Sequence, residues 1–181
     1  HPATSAPSGA ASSAAPGSVT QVTVRAPGDV RIRRLGTPAH GFGSVKAVSS
    51  TAGLVASGVA FSGAELEVWP AEGDGPTRTF KPDIGQAVVA ADFSRDGSEI
   101  VAAVGGRPSA LVLLRSADAS VAGKLDADAS DVAFLPSGDV LFLDGSVRRW
   151  DRHSTTTLIA ADAAAPIVAF ALSADRKRMA S

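Results

Sequence analysis

Asp151-Arg-His153-Ser154 gathers the three residue types of a serine hydrolase into one stretch. In such enzymes a Ser attacks, a His takes its proton, and an Asp orients the His, each brought in from a separate element. Four consecutive residues at a strand end cannot converge in that way, and the chain has no Gly-x-Ser-x-Gly elbow. His153 is therefore expected as an exposed turn residue, and no catalytic residue is assigned. The three histidines, His1, His40 and His153, lack metal-ligand spacing, and there is no Cys to supply a thiolate. Asp126, Asp128 and Asp131 alternate like the start of a calcium loop, but the following Gly and the bidentate Glu are missing. They are expected as solvated linker charges. No metal and no cofactor are expected.

Gly105-Gly-Arg107-Pro108 is glycine-rich without the Lys-Ser/Thr ending or the following helix of a phosphate loop. It reads as a lengthened turn, with only two or three residues expected at the matching place in neighbouring units. Basic residues cluster at Arg31, Arg33 and Arg34, at Arg148, Arg149 and Arg152, and at Arg176, Lys177 and Arg178. Nucleic-acid binding would need these merged into one stripe with interleaved aromatics, which are absent. Solvated rim charge is the expectation, with the Arg149 stem packed and its head in solvent.

The elements that must carry these residues are short strands in a repeating order. Phe93-Ser-Arg-Asp-Gly97, Phe134-Leu-Pro-Ser-Gly138 and Leu172-Ser-Ala-Asp-Arg176 each end an apolar strand on a polar turn, and Val48-Ser-Ser-Thr-Ala-Gly53 is a weaker copy. Asp and Ser bond the turn backbone there, and Gly supplies positive φ. A second set, Glu65 to Trp69, Ala110 to Leu114 and Ser146 to Trp150, keeps the same order. Recurrence at roughly forty residues marks propeller blades. Second strands are expected at Leu54 to Ala60, Ile100 to Val104 and Val140 to Leu143. Polar outer strands are expected at Thr77 to Lys81, Ser120 to Leu125 and Thr155 to Ile159. Runs such as Ile100-Val-Ala-Ala-Val104 are apolar throughout, as strands covered on both faces should be.

The fold expected is all-β: a propeller of four-stranded antiparallel blades. Full units fall near 43–82, 83–126 and 127–162, with half units at 19–42 and 163–181. Residues 1–18, rich in Ala, Ser and Pro, read as a flexible linker, and the start at His1 reads as non-native. Two strands at each end would permit a closed four-bladed ring, but a piece of a larger ring is the favoured expectation.

At 45% hydrophobic and 19% charged residues the chain is globular in composition, and its Ala, Gly, Arg and Asp content suggests a GC-rich bacterial genome. With 17 basic and 18 acidic residues, no global field points to nucleic acid, and no apolar run reaches the ~20 residues of a membrane helix. The composition leaves the compartment open, with the cytoplasm slightly favoured.

The run Asp144-Gly-Ser-Val-Arg-Arg-Trp150-Asp151, after Phe134-Leu-Pro-Ser-Gly138, resembles the WD-repeat family. The resemblance covers about residues 43–181 and is close in the third full unit. It implies structural roles for Trp69, Phe93, Phe134, Asp144 and Trp150. Asp144 matches the family's turn Asp, but its His partner is replaced by the Ala127-Asp128-Ala129 region, and Leu114 replaces the Trp of the middle unit. A quinoprotein-like or Tol-type propeller with Ser-Arg-Asp-Gly turns is the alternative subfamily. By family analogy the binding face is built from loops entering the first strand and loops joining the second to the third. These hold His40, Phe42, Gln86, Arg107 and Asp128. Two functions follow as expectations: a non-catalytic module of a larger bacterial protein that binds a protein or peptide, or an extracytoplasmic sensor propeller tethered by the N-terminal linker.

Overall fold

The computed structural model describes residues 21–23, 31–33, 43–59, 65–72, 76–81, 87–162 and 165–181, and these form strands and turns without helix. The chain divides into two compact units, His1–Thr37 and Pro38–Ser181. In the first, β1 (Gln21–Thr23) pairs antiparallel with β2 (Arg31–Arg33). The predicted linker and Arg34 lie outside the described residues.

The second unit holds three four-stranded antiparallel meanders. The first is β3 (Gly43–Ser49), β4 (Leu54–Val59), β5 (Glu65–Pro70) and β6 (Arg78–Phe80). The second is β7 (Ala87–Phe93), β8 (Glu99–Gly105), β9 (Ala110–Arg115) and β10 (Val121–Leu125). The third is β11 (Asp131–Phe134), β12 (Val140–Leu143), β13 (Val147–Trp150) and β14 (Thr155–Ile159). A hairpin of β15 (Ala171–Leu172) and β16 (Met179–Ala180) follows.

The middle strands β8 and β12 are apolar on both faces because the second and third sheets are each packed between two others. Along β8, Ile100, Ala102 and Val104 join Ala56, Leu66 and Val68 of the preceding sheet. Val101 and Ala103 point the other way and join Val132, Phe134 and Phe142 of the following one. The alternation of a pleated strand thus becomes an alternation between neighbouring blades. Along β12, Val140 and Phe142 face back, whereas Leu141 and Leu143 carry Phe170, Leu172 and Met179 of the last hairpin. The outer strands β10 and β14 lack a sheet on one side and are mostly exposed.

Two contacts show how tightly the blades approach. A methyl group at Gly58 would stand 2.9 Å from Val88 Cβ, so β4 can lie against β7 only without a side chain there. One at Gly123 on β10 would stand 3.4 Å from Trp150 Cη2, which places the indole of one blade over the outer strand of the last. Trp150 is 3% exposed, whereas Trp69 is only partly buried.

The first-to-second-strand turns repeat one geometry. Gly97, Gly138 and Arg176 each donate their N–H to the carbonyl three residues earlier. Gly53, Gly97 and Gly138 hold φ of 61°, 72° and 89°, and Arg176 takes the equivalent place at 56°. Within the turns, Asp96 accepts from Ser94 Oγ at 2.7 Å and Ser98 N at 3.1 Å, and Asp175 accepts from Ser173 Oγ at 2.6 Å and Lys177 N at 3.1 Å.

One expectation about loops is corrected. The second-to-third-strand turn around Arg107 covers residues 106–109, but in the first blade β4 ends at Val59 and β5 begins only at Glu65; the third blade has just 144–146 at this place. The Gly-rich turn is therefore not exceptional in length.

Candidate functional site

The first strands β3, β7 and β11 approach each other most extensively between blades, so they form the inner wall of the array. Together with the last hairpin they line a cavity of about 470 Å³, reached by Lys46, Asp92, Asp131, Phe170, Ser173 and Arg176 among others.

At one end of this cavity Arg176 closes a clamp across three repeats. Its Nη1 and Nη2 donate to Asp92 Oδ2 and Oδ1 at 2.6 and 3.1 Å, and Nη1 also reaches the Phe134 carbonyl at 2.9 Å. Asp92 Oδ2 accepts the Phe134 N–H at 2.8 Å as well. A bidentate guanidinium–carboxylate pair is a strong, geometrically selective contact, and this one ties blades two and three to the hairpin. The expectation of solvated rim charge thus fails for Arg176, which folds inward because its turn position aims it at the axis. Its positive φ costs an L-residue strain that Gly would avoid. The signal was present: an Arg stands where the three preceding turns have Gly.

The second basic cluster is neutralised by carboxylates. Arg152 grips Glu99 of the preceding blade through contacts of 3.0 and 2.6 Å. Arg148 Nε lies 3.1 Å from Asp144, and Arg149 Nε 3.8 Å from Asp139 with the side chain 43% exposed. Asp144 also accepts from Ser146 N at 3.3 Å. It is therefore held by an Arg besides the turn backbone.

Asp151, His153 and Ser154 close their own turn. Asp151 accepts from His153 N at 2.9 Å, Ser154 N at 2.7 Å and Ser154 Oγ at 2.9 Å, and His153 is exposed. These donors hold the Asp151 carboxyl down at about 2. The Ser hydroxyl is directed at Asp, which is not a nucleophile–base arrangement.

Asp131 departs from the reading as a solvated linker charge. Asp126 and Asp128 are exposed, Asp126 paired with Lys124 at 3.2 Å, but Asp131 is the first residue of β11 and half-buried in the cavity wall. Burial, opposed by a 2.9 Å bond from Val132 N, pushes its carboxyl above the ordinary value, with Asp92 adding repulsion. Among the described residues no group of three metal-ligand side chains gathers.

Of the face residues proposed from sequence, His40, Phe42 and Gln86 lie outside the described residues. Arg107 and Asp128 are both exposed. They sit at the same end of the array, since β7 begins opposite the end of β8 (Ala87 beside Gly105) and β11 begins opposite the end of β12 (Asp131 beside Leu143). Asp131 stands at that end of the inner wall, and Arg176 at the other, beside Phe134.

This architecture is that of a partial β-propeller: radial four-stranded antiparallel sheets with first strands innermost. The crystal structure of the Myceliophteria thermophila Cps50 (Swd1) β-propeller domain superposes with a TM-score of 0.61 at 13% identity, over 76% of this chain and 47% of that one. The likeness shows the propeller fold, and the chain spans about half the length of that domain. No protein-family profile and no curated protein matches the sequence.

Proposed function

We propose that the chain is a non-catalytic interaction module of a larger bacterial multidomain protein. It binds a protein or peptide through the face formed by loops entering the first strands and loops joining second to third strands. The observation that carries this reading is the position of Arg107 and Asp128: exposed, of opposite charge, on loops of adjacent blades, at the same end of the array. Loops held by a rigid scaffold can present such groups without loss of order on binding. The hydrolase-like tetrapeptide supports the non-catalytic part, because its hydrogen bonds are spent within its own turn.

Selection of peptides from a random display library on the immobilised protein tests the reading. Selected peptides are expected to lose at least tenfold in affinity, about 1.4 kcal/mol, on Arg107→Glu or Asp128→Lys. Arg95→Glu, on a turn at the opposite end, should change nothing. Equal binding by all three variants, or loss only in the Arg95 variant, would overturn the assignment of this face.

A further inference from the structure

The inner cavity holds four charged side chains, of which two are satisfied. Asp92 and Arg176 saturate each other. Lys46 and Asp131 make no ion pair with any described residue, although both line the same cavity. They stand on different walls: Lys46 on β3 of the first blade, Asp131 on β11 of the third, with β7 between them. Lys46 is placed there by a bulge. The β3–β4 register shifts between Val45 and Ala47, leaving Lys46 as the extra residue, and bulges re-aim side chains. Its stem passes over Gly58, where an added methyl would come within 3.2 Å of Lys46 Cε.

Asp131 begins β11, and Phe134, held by the clamp, ends the same strand three residues on, about 10 Å away along the pleat. Ala91, Ala133 and Phe170 help complete the lining, whose accessible surface is mostly polar. The volume, about 470 Å³, falls within the roughly 300–1,000 Å³ of small-molecule sites. Asp131 also works against the fold. Its carboxyl is raised by burial, so ionisation at neutral pH destabilises the empty protein. A cationic group beside it would reverse that penalty, and an anionic group would do the same service for Lys46.

We propose that this cavity binds a small zwitterion, an amino acid or short peptide, with its ammonium group on Asp131 and its carboxylate on Lys46. The Asp92–Arg176 pair lines the same pocket without contributing a free charge. This site is separate from the loop face and stands whether or not that face binds a partner.

Ligand-observed NMR over the common α-amino acids and a dipeptide library, at millimolar concentration, tests the proposal. n-Butylamine and butyrate serve as one-charge controls. At least one zwitterion is expected to bind saturably and raise the Tm, with neither control competing. The amino-acid and dipeptide arms reveal which charge separation fits. Asp131→Asn and Lys46→Met should each weaken that binding more than tenfold. Asp131→Asn should also leave the melting temperature of the empty protein unchanged or higher, so lost binding cannot be ascribed to unfolding. Saturable binding of no zwitterion, binding indifferent to both substitutions, or butylamine competing as well as the zwitterion would each overturn the proposal.

Discussion

At the scale of single residues the turns are held by carboxylates that prefer to be ionised. Asp96 and Asp151, each ringed by Ser hydroxyl and backbone N–H donors, have pKa values of about 2 against an ordinary 3.8. A folded pKa below the unfolded one favours the fold in the ionised state. That contribution is complete above about pH 4 and fades as the pH falls through about 2. Asp96→Asn and Asp151→Asn should therefore lower the Tm at neutral pH, and the gap to wild type should narrow as the medium is acidified toward pH 2. A gap independent of pH would mean that the loss has another origin. Asp131 has the opposite sign, because its folded value is raised: what stability it lends is present below its unfolded pKa and lost as the pH rises through the folded one.

At the scale of elements the sheets hold together through side chains that reach the next blade. Trp150, 3% exposed at the end of β13, joins Leu111 and Leu113 of the preceding blade and covers Gly123. Trp150→Ala is expected to cost about 3–5 kcal/mol, as deletion of a large buried aromatic does; a denaturant midpoint equal to wild type would refute the packing. The strands themselves were readable from sequence, since Ile100-Val-Ala-Ala-Val104 and Val140-Leu-Phe-Leu143 can exist only where both faces are covered. The outer strands were readable from polarity combined with period. The cross-blade polar contacts were not. Arg176 meets Asp92 from 84 residues away, and only the turn Gly it replaces hinted that it was unusual. Asp131 looked like its neighbours Asp126 and Asp128, because nothing local shows that β11 begins there and turns it into the wall. The bulge that aims Lys46 is likewise a property of the pairing with β4, not of its own segment.

At the scale of the molecule, the second unit curves blade by blade until the last hairpin returns its turn to the axis beside the second blade. Hydrophobic clusters bind neighbours only; Arg176 is the side chain that joins the hairpin directly to blade two while holding the backbone of blade three. Removing it should leave Asp92 partly buried without its cation, at a cost of about 2–3 kcal/mol, because a buried charge stripped of its partner loses its compensation. The most direct measurement is a double-mutant cycle on Asp92→Ala and Arg176→Ala, read from denaturant unfolding. Two residues so far apart in sequence couple only if the array wraps as described. A coupling energy of about 1 kcal/mol or more is expected, whereas effects that add to within about 0.3–0.5 kcal/mol would show that the two never meet and would contradict the fold.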